Sequence, residues 1–383
     1  MSDLLSAVPK PASAAEPWTR REILQQPETL RATRTLLMSR RAEIEAFLTP
    51  LLAKPNLRVV LAGAGTSAFI GGCLAATLSL ITGQCVEAIP TTDIVSAPKL
   101  YLAPETPTLL VSFGRSGSSP ESVAAVELAE TIVPDVHHLI ITCNADGALA
   151  QRTGDDSFVL VLPEATHDRG FAMTSSFSAM MLSALAIFTG IDSFDARVEP
   201  IARSIQDLLP TIEPHMAALA RRKFTRVVYL GSGPLQALAR EAALKLLELT
   251  DGDLVTMFES TLGFRHGPKT IVNAETLIVV FVSNDPLTRA YDRDLIEELR
   301  VDGIAGAVVA ISAQSDPGDT GDTIHVRGLE HASDTDLLFP YIVPAQLFAY
   351  HASLQRGLTP DSPNRTGVVS RVVQGVRIHT AGE

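Results

Sequence analysis

The chain has 383 residues, of which 46% are hydrophobic and 19% charged, and its formal net charge is −12. That length allows two domains or one large α/β body with a sizeable core. The acidic balance excludes a sequence-wide basic field for nucleic acid, so a bound anion must be held by local geometry.

Residues 1–18, rich in Ala, Ser and Pro, read as loosely ordered. They show no basic start, apolar run and small-residue cleavage site in succession, so no signal peptide is expected. From Thr19 to Leu52 the pattern is helical, with a break near Pro27. Val59 to Val86 then runs for 28 positions without a charge, long enough to span a bilayer. Its glycines and hydroxyl residues argue instead for a buried strand, a tight turn and a buried helix, so no membrane partner is expected. The cysteines Cys73, Cys85 and Cys143 are widely spaced and form no CxxC pair, which fits reduced thiols and a cytoplasmic protein.

Gly63-Ala64-Gly65-Thr66-Ser67-Ala68 matches a dinucleotide-binding fingerprint, and Glu87 lies 22 residues past Gly65, where a ribose-binding acid would stand. A nucleotide-dependent dehydrogenase is therefore one reading. It leaves unexplained a second cradle further on. The apolar run Thr108 to Val111 predicts a buried parallel strand, and Ser122 to Ala129 predicts a helix. Between them stands Ser112-Phe113-Gly114-Arg115-Ser116-Gly117-Ser118-Ser119-Pro120-Glu121. Unpaired N–H groups at the helix start, the helix dipole and the hydroxyls together suit a phosphate. The plainer alternative is a Ser-rich turn that only caps a helix.

The segment Arg58-Val59-Val60-Leu61-Ala62-Gly63-Ala64-Gly65 recurs as Arg226-Val227-Val228-Tyr229-Leu230-Gly231-Ser232-Gly233, an offset of 168 residues. Apolar strands follow in both copies, Leu109 to Ser112 and His138 to Thr142 in the first, Leu277 to Val282 and Ala307 to Ile311 in the second. Two similar α/β subdomains are expected, each a parallel sheet flanked by helices, joined by a helical connector over 191–222. The second copy of the cradle reads Val282-Ser283-Asn284-Asp285-Pro286, and Asp285 would repel a phosphate. One phosphate site per chain is expected, in the first half.

Glu241, Lys245 and Glu248 fall at i, i+4 and i+7 of a helix whose other positions are nearly all apolar. Exposed charges of this spacing usually form a salt-bridged stripe. Here the apolar surroundings bury the helix, and buried charges need partners or a purpose. Glu259-Ser260-Thr261-Leu262-Gly263-Phe264-Arg265-His266-Gly267-Pro268 sets a histidine between a glycine-punctuated loop and a proline. No histidine has metal-ligand spacing, so no metal is expected.

These motifs, taken in order, resemble the sugar isomerase (SIS) domain family over nearly the whole chain. Gly65-Thr66-Ser67, Arg115-Ser116-Gly117-Ser118-Ser119, Glu241-x-x-x-Lys245-x-x-Glu248 and His266-Gly267-Pro268 are similar to the isomerase half of glucosamine-6-phosphate synthase. Phe171-Ala172-Met173-Thr174-Ser175-Ser176-Phe177, the Glu259–Pro268 segment and the tail Pro360-Asp361-Ser362-Pro363-Asn364-Arg365 more closely resemble galactosamine-6-phosphate deaminase/isomerases, also known as tagatose-6-phosphate ketose/aldose isomerases.

The resemblance implies that Ser67, Ser116 and Ser119, with Thr66 and Arg115, hold the phosphate. It implies that Glu248 moves a proton between C1 and C2, that His266 assists ring opening from a partner subunit, and that Lys245 lines the pocket. Phe171, Ala172 and Glu241 would frame the sugar, and Thr174 or Ser175 would cap a helix. The synthase pattern has a serine at Gly114 and a glutamine at Arg115, and its amidotransferase half is absent here. The implied reaction is deamination or aldose–ketose isomerisation of a hexosamine or hexose 6-phosphate, with no cofactor, in a homodimer or larger homo-oligomer with shared sites. A sensor without turnover is the non-enzymatic alternative. The expected division is an N-terminal arm (1–28), a phosphate-binding domain (29–190), the connector (191–222), a domain with the catalytic Glu and His (223–350), and a tail over the active site (351–383).

Overall fold

The computed structural model describes residues 16–316, 322–373 and 375–379. The loose opening expected over residues 1–18 lies outside the described residues up to residue 15. Helices α1 (Trp18–Leu24) and α2 (Gln26–Leu52) open the described chain. The break falls at Gln25, and Pro27 sits in the first turn of α2, where a missing N–H costs nothing.

The first half continues as β1 (Arg58–Ala62), α3 (Thr66–Thr82), β2 (Cys85–Ala88), α4 (Thr91–Ser96), α5 (Pro98–Tyr101), β3 (Thr108–Gly114), α6 (Pro120–Ile132), β4 (Val136–Thr142), β5 (Ser157–Val161) and α7 (Ser175–Thr189). The long α8 (Ile191–Ala220) leads into the second half. There follow β6 (Arg226–Leu230), α9 (Pro234–Leu249), β7 (Val255–Glu259), α10 (Thr261–Phe264), β8 (Thr276–Phe281), α11 (Pro286–Asp302), β9 (Ala307–Ser312), β10 (Thr323–His325) and α12 (Asp334–Gln355).

Each half holds a five-stranded sheet, ordered β2-β1-β3-β4-β5 and β7-β6-β8-β9-β10, and every pairing is parallel. Val59 pairs with Leu109, and Val227 with Leu277, so the sequence offset is also an offset of sheet register. The turn after each first strand repeats as well: Gly65 and Gly233 both have φ +56°, which a side chain would resist.

The strands are apolar on both faces because helices cover both. Val59 and Leu61 of β1, with Val227 and Tyr229 of β6, point into one large central core shared with α2, α3, α7, α8, α9 and α12. Val60 and Ala62 face an outer core under α4 and α6, and Val228 and Leu230 face another under α11. The central helices are thus a common layer between two sheets. Among the described residues, α12 alone is long and apolar enough to cross a membrane, and 89% of its apolar window is buried inside the protein. Because α3 of the first half packs against α9 of the second, the carboxyl end of the first sheet lies beside the charged face of α9.

Candidate active site

Two α9 charges, Glu241 and Lys245, meet Thr66 in the first turn of α3, and Glu248 joins them through Lys245. Lys245 is 1% exposed, and its Nζ donates to Thr66 Oγ1 at 2.9 Å and to Glu248 Oε2 at 2.5 Å. Glu241 Oε1 lies 3.5 Å from the same ammonium and accepts from Thr66 Oγ1 at 3.2 Å. Burial alone would strip the proton from Lys245, but Glu241 and Glu248 outweigh it and hold the ammonium above its ordinary pKa. Burial pushes the Glu241 carboxyl up to about 8, against the pull of Lys245, and Glu248 adds to the rise. Of the two carboxylates, Glu248 is the closer partner of the Lys245 ammonium. Glu241 Oε2 is buried with no hydrogen-bond partner, whereas Glu248 is only half-buried. A partly open carboxylate beside a fixed ammonium is a group that can take and return a proton.

The serine loop follows β3. Asn144 Nδ2 donates to Ser116 O at 2.9 Å, and Ala148 N donates to Ser118 Oγ at 3.0 Å, so the loop is held from β4's far end. Ser119 stands at the N-cap of α6, but its hydroxyl donates to Ser122 Oγ at 2.6 Å and makes no cap bond to the helix backbone. Pro120 occupies the first turn, and Ser67, on the facing turn of α3, is buried. The two turns present hydroxyls and helix starts from adjacent strands β1 and β3.

Arg115 does not turn toward these hydroxyls. Its Nη1 donates to Phe171 O at 3.0 Å and Gly170 O at 3.3 Å, and its Nη2 to Arg371 O at 2.7 Å. Burial, and then the nearby Arg371 guanidinium, press its pKa below the usual arginine range. Phe171 thus meets Arg115 through its carbonyl, and Ala172 is fully buried in the central core.

Neither Thr174 nor Ser175 caps α7 with its own side chain. The cap is Asp168, whose carboxylate accepts from Thr174 N at 2.7 Å, Ser176 N at 2.9 Å and Ser176 Oγ at 2.5 Å. Ser175 Oγ instead donates to Glu22 O at 2.6 Å. Glu22 of α1 accepts from Arg169 N at 2.5 Å and Gly170 N at 3.1 Å, and burial raises its carboxyl to about 7, with Asp168 contributing. Gly170 is required here: an added Cβ would lie 2.7 Å from Thr19 Oγ1 and 2.9 Å from Glu22 Oε2.

Sequence reasoning missed Glu22, Asp168 and Arg371. Only Asp168 carried a local signal, a carboxylate six residues before Thr174, the N-cap of α7. His266 is exposed on the segment after α10, and its side chain has no hydrogen bond among the described residues. Glu87, the acid of the dinucleotide reading, accepts from Arg58 Nε at 2.5 Å. The glycine turn that reading invoked faces Lys245 through Thr66.

Two parallel sheets with hydroxyl-lined turns at one carboxyl end fit the SIS domain, whose family model matches residues 51–190 and 219–356, and the chain belongs to that family. It is 49% identical over 372 residues to D-galactosamine-6-phosphate deaminase AgaS of Escherichia coli, covering 96% of this chain and 97% of that protein. The D-galactosamine-6-phosphate deaminase AgaS of Shewanella sp. (strain ANA-3) is 47% identical over 367 residues, covering 94% and 92%. The crystal structure of tagatose-6-phosphate ketose/aldose isomerase from Escherichia coli matches with a TM-score of 0.88 at 46% identity, covering 96% of this chain and 98% of that one.

Proposed function

We propose that this protein is a cytoplasmic deaminating isomerase that converts galactosamine 6-phosphate and water to tagatose 6-phosphate and ammonia. The observation that carries the reading is the Glu248–Lys245–Thr66 cluster beside the serine loop, in a chain alike over its full length to deaminases of that substrate. Ser67, Ser116 and Ser119 take the phosphate, with the helix starts of α3 and α6 behind them. With the sugar open, Glu248 removes the C2 proton and returns it to C1, converting the amino aldehyde through an enolamine to a C2 imine. Water adds to the imine carbon, the C–N bond breaks, and ammonia leaves a C2 ketone. Lys245 donates to Glu248 Oε2 and orients it.

His266 serves ring opening in a neighbouring subunit's site, which suits its exposure here and makes the working unit at least a dimer. A second reading, plain interconversion of tagatose 6-phosphate with its aldose, is favoured by the likeness to the isomerase structure and needs the same proton transfer.

Ammonia release from galactosamine 6-phosphate and glucosamine 6-phosphate, assayed beside isomerisation of unaminated phosphates, separates the readings. Ammonia from the galacto substrate is expected, with a slower gluco reaction. Isomerisation without ammonia would leave the second reading standing. Mixing Glu248→Gln with His266→Ala chains should restore part of the activity, because some hybrid sites carry neither change. A monomer that is fully active by light scattering and assay would exclude the shared site.

A further inference from the structure

The tail after α12 crosses between the two halves. Asp361 accepts from Trp18 N and Thr19 N, each at 2.8 Å. Asn364 Nδ2 donates to Asp251 Oδ1 at 2.8 Å, and Arg365 Nη2 to Asp253 Oδ2 at 2.6 Å, in the turn just past Glu248. The tail then reaches Arg371, whose Nη2 donates to Asp168 O while its own carbonyl accepts from Arg115.

Two guanidiniums are thereby brought together, and among the described residues neither has a carboxylate within ion-pair distance. Arg371 Nε is buried without a hydrogen-bond partner. Other long-range arginines do have carboxylates, as Arg34 has Asp195 and Arg197 has Asp336. The acids near Arg115 are already engaged: Glu248 with Lys245, and Asp168 with Thr174 and Ser176. Arg115 is buried and Arg371 half-buried, Asp168 and Glu248 act on Arg115 only from beyond ion-pair distance, and an anion between the two guanidiniums would offset their repulsion.

We propose that Arg371 is a substrate-binding residue that forms, with Arg115, a two-guanidinium receptor for the charge of a phosphorylated sugar, completed only when the tail is seated. The proposal rests on the reading above for where the sugar phosphate binds, and adds a residue from the tail to that site. It ties tail closure to ligand charge: a 6-phosphate neutralises the mutual repulsion of the two cations, and an uncharged hexosamine does not.

Binding of galactosamine 6-phosphate and other hexose 6-phosphates by calorimetry, and hydrogen exchange of residues 364–373, test it together. Arg371→Met should weaken binding about tenfold to a hundredfold, as expected for a lost charge-assisted hydrogen bond, with the melting temperature kept. Arg371→Lys should recover part of the affinity. In the unaltered protein the phosphosugar should slow exchange in the tail and free galactosamine should not, and Arg371→Met should abolish the slowing. Unchanged affinity in Arg371→Met, equal slowing by galactosamine, or no binding of any hexose 6-phosphate would each overturn the proposal. Binding that behaves as expected in a protein that releases no ammonia would instead remove the deaminase reading and keep the receptor.

Discussion

The carboxyl ends of the two sheets are built on one backbone plan and finished in opposite ways. In the first half, α6 begins at Ser119 with no side-chain acceptor on its backbone donors. In the second, α11 begins at Asp285, which accepts from Thr288 N at 2.9 Å. The loop before α11 is filled too: Asp292 accepts from Ser283 N at 3.0 Å, and Asp334 accepts from Asn284 N at 2.8 Å and Ser283 Oγ at 2.6 Å. Where Thr66 opens α3, Pro234 opens α9 and offers no N–H. The second half thus carries its own anions where the first leaves backbone donors without a side-chain acceptor. The two copies of one backbone plan differ in which polar groups at the carboxyl ends are left without side-chain partners.

The sharpest way to break this comparison is at α9, which packs on α3 beside the first half's open end. Glu248→Gln should lower turnover about 10²- to 10⁴-fold, the usual worth of general acid–base catalysis, while phosphosugar binding is largely kept. Near-normal turnover would place the chemistry elsewhere. Next in size is the serine loop. Ser116→Ala with Ser119→Ala should raise KM at least about tenfold, since each hydrogen bond to a charged group is worth roughly 1.5–3 kcal/mol. The melting temperature should hardly move, and unchanged KM would mean that these hydroxyls only shape the turn.

The smallest effect probes the filled half. Asp334→Ala leaves Asn284 N and Ser283 Oγ without their acceptor and should cost about 1–3 kcal/mol in urea unfolding. It should also widen the existing crevice of about 670 Å³ that Asp334 lines together with Pro234, Asn284 and Asp285. If the carboxylate stands in for a ligand, inorganic phosphate should then stabilise Asp334→Ala more than the unaltered protein. Equal response of both proteins would show that the Asp334 carboxylate does not stand in for an anion.

What could be read from sequence was what repeats or is spaced locally. The 168-residue offset located both glycine turns, and the i, i+4, i+7 spacing located Glu241, Lys245 and Glu248 on one face of α9. What could not be read was held by partners far along the chain. Glu22 acts on backbone N–H groups 147 and 148 residues away, and Asp361 on Trp18 from 343 residues away. Backbone N–H groups carry no residue identity, and the one side-chain donor to Asp361, the Thr19 hydroxyl, lies 342 residues away. Arg115 was a related case: its place in the serine loop pointed to phosphate, yet its fork is occupied by three carbonyls, one of them on the tail.

The burial of α12 bears on how the chain is made. Every residue from Thr335 to Tyr350 is buried, α12 packs on α8 and α9, and Gln346 Oε1 accepts from Gln26 Nε2 at 2.8 Å, across 320 residues of sequence. During synthesis, α2, α8 and α9 emerge long before the helix that covers them. The first sheet can form early, but the central layer keeps apolar flanks exposed until residues near 355 leave the ribosome. Such late, long-range closure is slow and prone to association. Chains that stop short of α12 should therefore be substrates for chaperones and proteases even though both strand-turn motifs of the site are already complete.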